Sequence, residues 1–169
     1  VLLTLFFQNS NLLLAFLRDH NTARSVLDVF NDLYAMFGRK TYCRLFPVIL
    51  TDRGSEFSNP VPIEQDENDE LRSLVFYCNP SAPYQKGGIE VAHELVRRVL
   101  PKGKSFDDLQ QEDIDLMLSH INSYKRGKLN SRSAYQLFSF IYGDDILPKL
   151  NIREIEANDI VLSPKLLKK

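Results

Sequence analysis

The residues best placed to do chemistry are two carboxylates. Asp52 directly follows the apolar run Val48-Ile49-Leu50-Thr51. The carboxyl ends of sheet strands are where α/β folds build sites. An Asp at that point also caps turns, and on spacing alone both roles are open. Glu90 lies 38 residues on, just after Gly87-Gly88, a pair that lets backbone approach a neighbour or a ligand closely. His93, Glu94 and Arg97 follow Glu90 at i+3, i+4 and i+7 and share a helix face with it. That face is either a charged, solvated surface or one wall of an acidic metal pocket. Two Mg²⁺ ions about 4 Å apart need several carboxylate oxygens and leave positions for water and phosphate. The surroundings of Glu90 are basic, with Lys86, Arg97, Arg98, Lys102 and Lys104, and Tyr84 and Gln85 lie just upstream. Cations flanking an acidic pair suit a phosphodiester held against carboxylates. Lys125, Arg126 and Lys128 form a further cluster of cations.

Two other motifs carry no chemistry. Gly103-Lys104-Ser105 ends like a phosphate-binding P-loop, but the Gly required five residues earlier is Arg98. Cys43 and Cys78 have no metal-ligand spacing with His20, His93 or His120 and read as free, structural thiols.

The elements that must position these residues follow from periodicity. Residues 1–7 and 12–18 are apolar runs joined by Gln8-Asn9-Ser10-Asn11, which predicts a β-hairpin. Asn21-Thr22 is a helix N-cap, Val26, Val29, Phe30, Leu33 and Phe37 keep helical spacing, and Gly38 ends the helix. Pro47–Thr51 and Leu74–Cys78 are apolar enough for buried strands in mid-sheet. Between them, residues 58–70 form a surface loop or short helix whose acids (Glu64, Asp66, Glu67, Asp69, Glu70) are a solvated face. A helix starts near Gly88 and stops at Pro101. Two more run from about Glu112 to Tyr124 and from Ser133 to Gly143, and the last twenty residues are irregular. Strands alternating with helices, then helices alone, predict an α/β fold with a helical C-terminal extension.

Composition bounds the rest. With 169 residues, 44% apolar and 25% charged, the chain is globular rather than disordered. Its net charge of −1 argues against a histone-like or tail-type nucleic-acid binder but leaves room for a local basic groove. No apolar run is long enough to span a membrane, and VLLTLFF lacks the basic lead of a signal peptide. A reduced cytoplasmic compartment is expected. The chain opens inside an apolar run without Met, which reads as a piece of something longer.

Several segments together carry a resemblance. Thr51-Asp52-Arg53-Gly54-Ser55-Glu56-Phe57, Tyr77-Cys78-Asn79-Pro80, and Pro83-Tyr84-Gln85-Lys86-Gly87 with Glu90 closely resemble the integrase catalytic core of bacterial insertion-sequence transposases of the DDE type. Leu100-Pro101-Lys102-Gly103, followed by Ser105-Phe106 and Leu109, is similar to the segment after the catalytic Glu in one branch of that family. The resemblance implies a ribonuclease H-like mixed sheet flanked by helices, with an Asp–Asp–Glu triad and Mg²⁺ or Mn²⁺. The chemistry implied is cleavage and joining of DNA ends by in-line attack, first by water and then by a DNA 3′-hydroxyl. Asp52 matches the second carboxylate and Glu90 the third, both as catalytic residues and as metal ligands. Glu56 and His93 would stand beside the metals, and Tyr84, Lys86, Arg97 and Arg98 would contact DNA. A homo-oligomer, no membrane, and a place in the bacterial cytoplasm on the nucleoid complete the expectation.

Three departures accompany the resemblance. The family's first Asp lies on a strand before the hairpin, and no acid precedes Asp19. Residues 1–103 are therefore expected to be an integrase core lacking its first strand, with 104–169 a helical extension of the same domain. Arg53 stands where many members carry Asn or Gln, and Val91-Ala92 where polar residues are usual. A ribonuclease H-like domain kept only for DNA binding or assembly is one alternative. An unrelated α/β interaction domain is the other.

Overall fold

The computed structural model describes residues 1–79 and 88–167. In chain order the elements are β1 (Leu2–Phe7), β2 (Leu12–Leu17), α1 (Ala23–Leu45), β3 (Val48–Thr51), α2 (Val61–Glu64), β4 (Leu74–Tyr77), α3 (Ile89–Val99), α4 (Gln111–Ser123), β5 (Lys125–Arg126), β6 (Arg132–Ser133), α5 (Ala134–Tyr142) and α6 (Ile146–Lys149). The chain is mixed α/β. It divides into two compact units, one of Val1 with Arg18–Lys86, the other of Leu2–Leu17 with Gly87–Lys169. Among the described residues the strands form three separate two-stranded ladders: β1–β2, β3–β4 and β5–β6.

In the unit of Leu2–Leu17 and Gly87–Lys169, β1 and β2 pair antiparallel with Leu2 opposite Leu17 and Phe7 opposite Leu12. The predicted hairpin is there, turned by a buried Ser10 and by Asn11 at φ 60°. Asn tolerates that left-handed conformation better than most residues. Successive side chains take opposite faces. Phe7 packs edge-on against Phe138 of α5, ring centroids 5.1 Å apart. On the other face Thr4 Oγ1 lies 3.0 Å from His93 Nε2 of α3.

Helix α4 closes the outer edge of β2 with side-chain amides. Asn122, fully buried, accepts from Leu13 N–H at 2.9 Å and donates to Leu13 C=O at 2.8 Å. Gln111 accepts from Leu17 N–H at 2.8 Å and donates to Ala15 C=O at 3.0 Å. Leu13 and Leu17 thus turn their backbone groups toward α4, so their cross-strand partners Phe6 and Leu2, with Thr4, turn theirs outward from β1. Among the described residues nothing pairs with that β1 edge.

The irregular C-terminal segment is pinned along α4 by three polar side chains. Ser119 Oγ accepts from Arg153 N–H at 3.1 Å, Ser123 Oγ from Ile155 N–H at 2.9 Å, and His120 Nδ1 from Val161 N–H at 3.0 Å. With Asn122, which serves β2, they make four buried polar residues in five positions of one helix, each with a backbone partner.

In the unit of Val1 and Arg18–Lys86, Thr22 caps α1 in a reciprocal box with Ser25, as expected. Gly38, expected to end the helix, only breaks it. It sits at φ 75°, ψ 166°, and a second helical segment carries on to Leu45. That segment brings Tyr42 and Leu45 into the core beside Phe30 and Leu33. β3 and β4 run parallel, Val48 opposite Leu74 and Thr51 opposite Tyr77. They were expected to be buried mid-sheet strands. Instead Val48, Leu50, Leu74 and Phe76 are 55, 40, 41 and 52% exposed, because one face of this two-stranded sheet is left largely uncovered.

The acids of residues 58–70 are not all solvated either. Glu64 Oε2 accepts from Val75 N–H at 3.1 Å and so caps the outer edge of β4. The Asp66 carboxylate takes the N–H groups of Asn68 and Glu70 at 2.8 and 3.0 Å and the Tyr34 hydroxyl at 3.0 Å. Those backbone donors lead the causes that hold its pKa below the ordinary Asp value. Leu74 and Cys78 donate to Pro47 and Thr51, so positions of that parity in β4 face β3. Val48 and Leu50 then present their backbone groups outward from β3, again without a partner among the described residues. No helix of the described residues is long and apolar enough to cross a membrane.

Two outcomes follow. Asn122→Ala strands the N–H and C=O of the buried Leu13 and should cost about 2–4 kcal/mol in urea denaturation. A midpoint equal to that of the unmutated chain would mean that α4 does not hold this edge. His120 is 6% exposed, and burial, reinforced by the Arg153 charge and opposed by Asp159, lowers its pKa. A lowered His pKa gives stability that is complete above the unfolded value near 6.5 and lost as pH falls below it. The thermal midpoint should therefore drop more between pH 7.5 and 5.5 than in His120→Gln, which keeps an acceptor but cannot titrate in this range.

Candidate active site

The β3–β4 ladder ends where Thr51 C=O accepts from Cys78 N–H at 2.8 Å. Asp52 is the next residue and is exposed. Its Oδ1 accepts from Gly54 N–H at 3.0 Å, so the turn-capping role of Asp52 is filled. A 3₁₀ turn over Ser55–Phe57 then folds Glu56 back. A Cβ built on Gly54 would stand 2.9 Å from Glu56 Oε2 and 3.0 Å from Asp52 Oδ1. Two carboxylates thus converge over a glycine, and Gly54 is needed for space rather than for its φ, which is −60°.

Arg18 is the electrostatic neighbour of this pair. The residue is 8% exposed, with Nη1 on Ser25 Oγ at 2.8 Å and Nη2 on Asn21 Oδ1 at 3.1 Å. Burial lowers its pKa, and the Glu56 charge acts against that. Sequence reasoning missed Arg18, because it lies 38 residues before Glu56 and no local motif links the two.

Glu90 belongs to the other unit, in the first turn of α3. The helix runs between the expected limits, from N-cap Gly88 to C-cap Leu100. Ala92, Leu95, Val96 and Val99 face inward, while Glu90, His93, Glu94, Arg97 and Arg98 are exposed. Arg98 pairs with Glu94 at 3.9 Å, an exposed i,i+4 contact of small worth. His93 lies against Thr4, as described. Tyr84 and Lys86 lie outside the described residues.

Asp52 with Glu56 supplies hard oxygen donors of the kind that suits Mg²⁺. Among the described residues, no three His, Cys, Asp or Glu side chains form a group that could hold a metal ion.

No protein-family model matches the chain. Individual proteins do. Over 137 residues, 81% of this chain, it is 30% identical to ORF3 of Spiroplasma virus SpV1-R8A2 B, a protein named as an integrase. Over 76 residues, 44% of the chain, it is 33% identical to the transposase of insertion sequence IS1086 from Cupriavidus metallidurans. Over 107 residues, 63% of the chain, it is 25% identical to the IS4351 transposase of Bacteroides fragilis. The matched segments span 40, 22 and 32% of those relatives' own lengths. The chain is related in sequence to integrases and insertion-sequence transposases.

Gly88 fixes the start of α3 and with it Glu90. It sits at φ 90°, and an added Cβ would lie 2.9 Å from both Asn11 Oδ1 and Phe6 Cζ. Gly88→Ala should lower stability by about 1–2 kcal/mol or more through the left-handed backbone alone. An unchanged thermal midpoint would show that α3 can start elsewhere without loss.

Proposed function

We propose that this relative of insertion-sequence transposases is the catalytic core of a DNA transposase, whose parent cuts DNA ends and joins them to a target with the help of a divalent metal. The observation that carries the reading is the convergence of Asp52 and Glu56 over Gly54 at the carboxyl end of a parallel strand. Asp52 and Glu90 would hold Mg²⁺ or Mn²⁺, with Glu56 and His93 beside them. The ion, when bound, would polarise the scissile phosphodiester and activate the attacking hydroxyl. Tyr84, Lys86, Arg97 and Arg98 would hold the DNA backbone in register. Residues 1–103 would carry the chemistry and 104–169 extend the same domain. The assembly would be a homo-oligomer working on chromosomal DNA in the cytoplasm.

The open edges support a ribonuclease H-like sheet. The edge of β2 is closed by Gln111 and Asn122, and Val75 on the edge of β4 is capped by Glu64. Among the described residues no strand pairs with the outer edges of β1 and β3. A ribonuclease H-like sheet places its first strand between those two edges, and that strand bears the first Asp. We assign it to residues outside these 169, and expect this chain alone not to nick or join DNA. The second reading is a ribonuclease H-like domain that binds DNA or assembles without chemistry.

Calorimetric titration with Mn²⁺ tests the reading. Asp52→Asn and Glu90→Gln should each weaken binding about tenfold or more. Gly54→Ala should weaken it too, by forcing the carboxylates apart, while leaving the thermal midpoint unchanged or slightly raised. Equal Mn²⁺ affinity in Asp52→Asn and the unmutated chain would remove Asp52 from the site. Metal binding with no DNA cleavage, even when about 30 upstream residues are restored, would favour the second reading.

A further inference from the structure

From residue 116 to residue 143 the chain has no acid, and four cations, Lys125, Arg126, Lys128 and Arg132, fall within eight residues of that span. They occupy the small hairpin between α4 and α5. β5 pairs with β6 so that Arg126 stands directly opposite Arg132. Like charges directly opposite on a ladder repel. Among the described residues no ion pair relieves any of the four.

Arg126 is more costly still. Its Nε and Nη2 are buried yet have no hydrogen-bond partner. Burial pulls its pKa below the ordinary Arg value, and no carboxylate stands among the causes that shift it. The connecting loop is held in an uncommon shape. Asn130 and Ser131 are consecutive non-glycine residues at φ 54° and 60°. Ser131 N–H is tied to Arg126 C=O at 3.2 Å and Asn130 N–H to Gly127 C=O at 3.2 Å. Such strain persists where surrounding structure enforces it, and it clusters at ligand clamps. The enforcement is visible on the far side, where Ser133 both ends β6 and caps α5 in a box with Gln136. A partly buried arginine with two unpartnered nitrogens, a second arginine directly opposite it and a strained, anchored loop together suit an anion.

We propose that the 125–132 hairpin is a phosphodiester clamp, in which Arg126 and Arg132 close on one backbone phosphate of a nucleic acid and Lys125 and Lys128 on its neighbours. The choice of a nucleic acid over an acidic peptide rests on the transposase reading above. Planar guanidinium forks match a phosphate in two-point contact, and regularly spaced charges suit a row of cations.

The test is anisotropy of a labelled duplex of about 30 bp, titrated with the 169-residue chain between about 50 and 250 mM KCl. Lys128→Ala and Arg132→Ala should each weaken binding and reduce the slope of log affinity against log salt by about one. Arg126→Met should weaken binding about tenfold and at the same time raise the thermal midpoint, because it removes an unpaired, desolvated charge while keeping the stem's bulk. Arg126→Lys, which keeps the charge but loses the fork, should fall between. A lower midpoint together with weaker binding in Arg126→Met would make Arg126 structural and overturn the clamp. Unchanged affinity and slope in the hairpin variants, with loss on Arg97→Ala plus Arg98→Ala, would overturn it and leave the transposase reading standing. Equal competition by polyglutamate of matched charge would overturn it in favour of an acidic peptide. No salt-dependent DNA binding by the unmutated chain would bring down the DNA reading and the clamp with it.

Discussion

The constraint on which the rest depends is that every strand edge must find partners for its N–H and C=O groups or face water. This chain meets it with side chains rather than further strands. Asn122 and Gln111 act toward β2 as a neighbouring strand would, each carrying one donor and one acceptor at the right spacing. Glu64 does the same for Val75 of β4 with a single acceptor. Side-chain capping is more specific than a ladder, since each residue fits one register. It also prevents growth of the sheet on that side. The direction in which each sheet can still accept a strand is thereby decided by three residues on helices.

That arrangement accounts for features that would otherwise look like defects. The exposed apolar residues of β3 and β4 belong to a two-stranded sheet with one largely uncovered face and, among the described residues, no strand beyond β3. Three of the polar residues buried along α4, Ser119, His120 and Ser123, are receptors for backbone N–H groups of the C-terminal segment, which among the described residues has no ladder of its own there. Buried polar atoms in this chain mostly replace secondary structure that the neighbouring backbone lacks. Arg126 departs from this, as do Arg18 Nε, Tyr42 OH and Ser139 Oγ: its Nε and Nη2 are buried donors without an acceptor among the described residues.

How much of this could be read in the sequence depends on range. The hairpin, the Thr22 cap, the limits of α3 and the Ser133–Gly143 frame of α5 were legible, because turn residues and periodicity act over a few positions. Gly38 was misread because a glycine that stops one helix says nothing about whether the next residues start another. The burial of β3 and β4 was misread because apolar composition reports the environment a strand prefers, and the neighbours that would supply it are remote in the chain. Asp66 and Glu64 looked solvated for the same reason, since their partners, Tyr34 and Val75, lie on other elements. Glu56 was singled out only through the resemblance, although the 3₁₀ turn that folds it back is local. The Arg18 charge near Glu56 comes from a tertiary contact that no local pattern announces.

The hairpin of β1 and β2 is made well before the helix that completes it. Its edge partner Asn122 lies 109 residues downstream of Leu13. At usual synthesis rates that interval lasts about 5–20 s. During it an apolar hairpin has left the ribosome without the helix that covers it, while the residues made in between, 18–86, belong to the other compact unit. The unit of Leu2–Leu17 and Gly87–Lys169 is therefore a late-closing one. Its yield in a cell should depend on how well the nascent hairpin is shielded, by holdase chaperones or by the pace of translation, more than on the final stability of the folded protein.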